Sequence, residues 1–231
     1  MQEGRGDLME EAAGKTVYPV ITYIPAPEEL VIRPEEINRY LGYGRETVPE
    51  TDQTLIDRCR EQVKRIMAGK ACYSRFPVVC MEDNRIRMPY GVIESRHLSR
   101  HIAGCREIYI FAATIGAAFD RFLTRTRLTS MAEAAVLQAC GAAAIEAVCD
   151  ALNDRLAREA AEEGKSLCSR YSPGYGDLAL ENQRGVFEVL NPSKYIGLSL
   201  MDTMIMSPEK SVTAIIGIRE KQEGESSSVQ A

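Results

Sequence analysis

RYSPGYGDL, Arg170 to Leu178, stands between the longest helical pattern of the chain and the elements that close it. Tyr171 and Ser172 lead into Pro173-Gly174, a turn dipeptide in which the proline ring fixes one φ and the glycine frees the next. A guanidinium, a hydroxyl, a phenol and a stretch of bare backbone share one short loop, a set suited to gripping a small zwitterion. Arg170 can hold a carboxylate through two parallel N–H bonds, and Gly174 lets a ligand approach the main chain. The same residues also fit a surface turn that joins a helix to the next segment.

Outward toward the N-terminus, Leu137, Gly141, Ile145, Val148, Leu152 and Leu156 recur at three- and four-residue steps and predict a helix from Met131 to Glu163. Within it, Glu146 has Ala142 and Ala143 one turn before and Cys149 and Asp150 one turn after. Such small neighbours leave its carboxylate open to an ammonium or a sulfonium, although a solvated helix glutamate has the same spacing. On the other side of the loop, a helix is expected from Leu180 to Leu190, then strands from Gly197 to Met204 and from Ser211 to Arg219. Earlier in the chain, Pro34 opens a helix to Tyr40. A second runs from Thr51 to Ala68 and is stopped by Gly69. Phe76 to Cys80 and Ile86 to Ile93 read as strands around the turn residues Glu82, Asp83 and Asn84. Ser95 caps a helix that ends at Gly104, and Ile108 to Ala113 reads as a buried strand. These elements do not alternate as βαβ units, so the expected class is α+β, with an antiparallel sheet packed with helices. One domain over residues 16–220 is expected, with flexible tails at 1–15 and 221–231.

The 231 residues are 45% apolar and 26% charged, with a net charge of −5 and no tryptophan. That balance lacks the basic face a nucleic-acid partner requires. The N-terminal residues carry no apolar secretory core, and no stretch reaches the roughly 18 apolar residues of a membrane span. A cytoplasmic location is expected, with no nucleic acid and no membrane as partner. Seven cysteines without a CxxC pair argue against a disulfide framework or a zinc ribbon, and they read as reduced, mostly buried small hydrophobes. The closely spaced cysteine triplet of a radical AdoMet loop is missing. His97 and His101 share the i, i+4 spacing of metal ligands, but no third ligand is indicated; they read as a solvated pair, and no metal site is expected. Thr114-Ile115-Gly116 resembles a strand-to-helix turn, yet neither a GxGxxG loop nor a GxSxG elbow occurs.

RYSPGYGDLALENQRGVF (Arg170 to Phe187), followed by IGLSLMDTMIMSPEKSVTAIIGI (Ile196 to Ile218), is similar to the C-terminal activation module of cobalamin-dependent methionine synthase, and closer still to small stand-alone homologues of it. The resemblance implies a protein that binds S-adenosylmethionine (AdoMet) and supports reductive methylation of cob(II)alamin on a methionine synthase lacking its own module. A flavodoxin-type donor would supply the electron. No DxHxxG motif is present, so cobalamin would come only on a partner protein. Another corrinoid methyltransferase as partner, a non-catalytic AdoMet-responsive adaptor, and a structural relative that has lost AdoMet altogether are the alternatives. The resemblance assigns Arg170 to the methionine carboxylate, Ser172 and Gly174 to largely backbone contacts, Tyr175 to the motif tyrosine and Glu146 to the AdoMet-binding glutamate of the long helix. Ser172 replaces an alanine common in the module. The module's C-terminal extension, with its aromatic contact, has no counterpart in GESSSVQA.

Overall fold

A computed structural model describes residues 18–44 and 47–221. The expected tails lie outside this range except for Lys221. The elements, in chain order, are β1 (Ile21–Tyr23), α1 (Pro34–Leu41), α2 (Glu50–Ile66), β2 (Lys70–Pro77), β3 (Val79–Cys80), β4 (Arg85–Met88), β5 (Gly91–Glu94), α3 (Arg96–His101), β6 (Glu107–Thr114) and α4 (Ala117–Arg127). They continue with α5 (Met131–Glu162), β7 (Lys165–Leu167), α6 (Asn182–Leu190), α7 (Pro192–Ile196), β8 (Ser199–Leu200), β9 (Met206–Ser207) and β10 (Ser211–Glu220).

Five strands form the central sheet in the order β1-β2-β6-β10-β7, every neighbour antiparallel. The class is α+β, as the missing βαβ alternation predicts. Alternate residues along each strand face opposite layers. Tyr73, Phe111, Ala214, Ile216 and Ile218 enter one core beneath α5, while Cys72, Ile108, Ile110 and Ile215 enter the other, beneath α6 and α7. The small sheet β3-β4-β5 and helix α3 extend that second layer.

Helix α5 is the centre of the first layer. Ser130 caps it by accepting from the Glu133 amide, and its alanines let α1, α2 and α4 pack close beside the sheet. Leu137, Leu152 and Leu156 are fully buried, a contribution of about 1.5–3 kcal/mol each by transfer out of water. The expectation that no stretch reaches a membrane span needs correction. By length and composition α5 is apolar enough to cross one, because its alanines and cysteines add to the leucine stripe, but 72% of its apolar window is buried inside the fold.

Several expected elements differ from the observed ones. Phe76 to Cys80 is not one strand. It contributes the end of β2, which begins at Lys70, and then the separate β3. Ile86 to Ile93 is a hairpin, β4 and β5, turning at Pro89-Tyr90. Gly197 to Met204 holds only the two residues of β8, because the chain turns back and Met204 takes a positive φ of 65°. Helix α2 ends before Gly69, with Met67 already extended. Gly69 is small for a different reason: a Cβ there would sit 2.9 Å from Val148 Cγ2. β1, β7 and α4 were not expected. The Thr114-Ile115-Gly116 turn does lead into a helix, α4, and the Thr114 hydroxyl accepts from the Gly116 amide.

Candidate functional site

The segment after β7 runs antiparallel to β10, but not in one register. Leu167 pairs with Ile218 and the Cys168 amide donates to the Gly217 carbonyl, whereas Tyr171 pairs with Ile215. Ser169 and Arg170 together therefore oppose the single residue Ile216. This is a β-bulge, and a bulge re-aims the side chains that follow it. Ile216 belongs to the core under α5, and Ile215 to the opposite one. The extra residue thus turns Arg170 toward α5 and Tyr171 toward the second layer.

On the α5 side, Arg170 meets Glu146, 24 residues earlier in the chain, with Nη2 donating to Glu146 Oε2 at 3.0 Å. Nη1 donates to Asp150 Oδ1 at 2.8 Å. Glu146 and Asp150 are one helical turn apart, so both carboxylates face the same guanidinium. Burial lowers the Arg170 pKa, and Cys149, Asp150 and Glu146 around it more than reverse that, leaving a net upward shift. The buried Cys149 thiol is pushed up to about 12, the nearby guanidinium only partly opposing its burial. Two carboxylates against one guanidinium leave a net negative charge beside the sheet edge.

The rest of RYSPGYGDL folds over the other face. Tyr171 is buried, its hydroxyl donates to the Tyr175 carbonyl at 3.3 Å, and the two rings meet edge-on with centroids 5.5 Å apart. Ser172 accepts at its carbonyl from the Tyr175 amide, Pro173 is buried, and the Gly174 amide donates to the Leu178 carbonyl at a φ of 87°. Tyr175 is 69% exposed.

What seats this turn is α3. Asp177 accepts from the Ser95 hydroxyl at 2.5 Å and from the Arg96 and His97 amides, so it shares the helix N-terminus with the Ser95 cap. The Ser95 hydrogen bond, with the two amides, holds the Asp177 carboxyl below its usual range although desolvation works against it. Gly176 has a φ of 58°, and a Cβ there would lie 2.6 Å from both His97 Nδ1 and the Tyr171 hydroxyl. His101 Nε2 lies 2.7 Å from the Ser169 carbonyl oxygen, with its ring 5.2 Å from that of Tyr171.

Of the five residues singled out in the sequence, Glu146 and Arg170 are brought into direct contact. Ser172, Gly174 and Tyr175 lie in the adjoining turn, which is anchored on α3 rather than on α5. The reading of His97 and His101 as a solvated pair needs correction. His97 keeps an exposed side chain, but both residues face the loop, because their shared helix face is the one the turn rests on. No group of three or more metal-ligating side chains occurs among the described residues. Sequence reasoning missed Gly176, Asp177 and Ser169. The phrase G-D after the second tyrosine was the available signal, a glycine and a capping acid in one turn.

No family model matches this sequence, and the curated proteins contain no match to it. Among solved structures the chain is similar to a crystal structure of the MetH reactivation domain bound to AdoHcy, with a TM-score of 0.64 and 14% identity. The match covers 90% of this chain and 80% of that one. At this identity the likeness shows the fold.

Proposed function

We propose that this chain binds AdoMet at the junction of Arg170, Glu146 and the Ser172–Tyr175 turn. There it serves a cobalamin-dependent methionine synthase, or another corrinoid protein, as a reactivation subunit in the cytoplasm. The observation that carries this reading is the bulge that turns Arg170 onto Glu146 beside the Pro173-Gly174 turn. It sits in a fold similar to a reactivation domain whose structure holds AdoHcy. The charges agree with it. Arg170 between Glu146 and Asp150 sums to −1, and AdoMet, with a carboxylate, an ammonium and a sulfonium, sums to +1. The ligand carboxylate would take over one of the guanidinium's two bonds, and the freed Asp150, the more exposed acid, would face the ligand's positive groups. Gly174, with a positive φ and no Cβ, leaves the turn's backbone open to the nucleoside.

In this role the protein supplies position. Holding a sulfonium methyl over a partner's cobalt makes methyl transfer a near-unimolecular event. A flavodoxin-type donor would supply the electron that reduces the cobalt, and AdoMet, held by Arg170, Glu146 and the Ser172–Tyr175 turn, would supply the methyl group. The test supplies a cob(II)alamin-loaded partner, a reductant and methyl-labelled AdoMet. Label on cobalt that requires this chain is the expected outcome. AdoMet binding without label transfer would instead favour an AdoMet-responsive adaptor.

A further inference from the structure

Cys168 opposes Gly217 across the strand pair, on the face away from α5, with its amide held by the Gly217 carbonyl at 2.9 Å. Cys105, in the turn after α3, approaches from the second layer, and the two sulfurs lie 3.7 Å apart. Gly217 makes this approach possible: a Cβ at that position would sit 2.7 Å from the Cys105 sulfur and 3.0 Å from that of Cys168. Both thiols are free. Reaching the ~2.05 Å of a disulfide requires the two sulfurs to close the remainder of that 3.7 Å gap.

We propose that Cys105 and Cys168 form a reversible oxidative modification site, a dithiol that a hydroperoxide converts to a disulfide. Cys168 is partly exposed whereas Cys105 is buried, and burial pushes the Cys105 thiol up to about 12. Cys168 is accordingly the thiol that meets the oxidant. Its thiolate attacks the terminal peroxide oxygen and the O–O bond breaks. The departing alkoxide takes a proton, leaving Cys168 as a sulfenic acid and releasing an alcohol. Cys105 then gives up its proton and attacks the Cys168 sulfur. The S–O bond breaks and water leaves. In total two thiols lose two electrons and two protons, and the hydroperoxide is reduced to alcohol and water. A thiol reductant reverses the change by exchange, as suits a compartment in which protein disulfides are transient.

The position gives the bond a consequence. Cys168 stands two residues ahead of Arg170, at the entry to the bulge. Cys105 follows α3, the helix on which the RYSPGYGDL turn rests. A disulfide would fasten these two supports of the loop to one another. The chemistry at the sulfurs stands whether or not AdoMet is the ligand.

The reduced full chain is treated with tert-butyl hydroperoxide, remaining thiols are alkylated, and peptides are mapped with and without dithiothreitol. The expected result is two fewer alkylatable thiols than the seven present, a Cys105–Cys168 peptide link, and full recovery on reduction. Cys105→Ala should leave Cys168 as a sulfenic acid that dimedone traps. Cys80 is exposed and near enough to Cys105 to influence its titration, which makes it the rival partner. A link through Cys80, or Cys105 and Cys168 both remaining alkylatable in the native protein, would overturn the proposal.

Discussion

Ser169 and Arg170 share one partner residue on β10, and this single insertion decides which layer the guanidinium enters. The types of Arg170 and Glu146 were legible in the sequence as a cation beside a turn and an acid among small residues. The resemblance set the two around one ligand, but the bulge that joins them was not legible, because it is a property of two strands in register and neither strand announces it alone. Asp150 was noted only as a neighbour of Glu146, yet it makes the shorter bond to Arg170. Gly176 illustrates the same limit. Nothing local distinguishes it from Gly174, but only at Gly176 would a side chain collide with both His97 and Tyr171. Gly176→Ala is predicted to destabilise the protein by about 1–3 kcal/mol, through left-handed backbone strain added to that collision. Gly174→Ala should be milder for stability, since its added Cβ would meet only Leu180, at 3.1 Å. Urea unfolding of both variants checks the order, and equal midpoints would show that the loop does not rest on α3 as described.

At the scale of elements, α5 and the Ser95 cap were plain in the sequence because each has a local signature, a helical stripe or a capping side chain. β7 and β1 were not, since each is three residues long and owes its existence to the neighbour it pairs with. β2 was read short because it is buried on both faces and its Lys-Ala-Cys-Tyr-Ser-Arg run lacks alternation. Helix α4 lies against α5 where Gly141 has no side chain, and a Cβ there would overlap the Phe119 ring. Gly141→Ala should therefore cost about 1–3 kcal/mol by overpacking, only partly offset by the ~1 kcal/mol gain in helix propensity. A raised denaturation midpoint would contradict that packing. The end of α5 is tied to β2 and β6 by Arg75, which forms paired bonds to both Glu107 and Glu163, with Lys165 beside them. Hydrogen bonds from Arg75, then Lys165, hold the Glu163 carboxyl down to about 2. Because the folded pKa is depressed, this contribution is complete above the ordinary carboxylate range and disappears as the pH falls toward about 2. Glu163 is largely exposed, so solvent screening keeps the contribution to about 1 kcal/mol or less. Glu163→Gln should make melting temperature fall less steeply on acidification through that window. An unchanged acid limb would mean the tie adds nothing.

For the whole molecule, the antiparallel sheet places two different layers at one edge strand. Arg170 reaches the α5 layer, and the turn that follows reaches the α3 layer. Absence of βαβ alternation was enough to predict the class, but the order β1-β2-β6-β10-β7 depends on contacts between residues far apart in sequence and could not be read locally. The proposed ligand would bridge these layers, and isothermal titration with AdoMet of the wild-type chain and of Arg170→Ala tests that most directly. The account predicts saturable one-to-one binding to the wild type, weakened in the variant by about 2–5 kcal/mol, the cost of removing one partner of a desolvated charge pair. Circular dichroism should be unchanged between the two. No binding to the folded wild type, or equal affinity for both proteins, would contradict it.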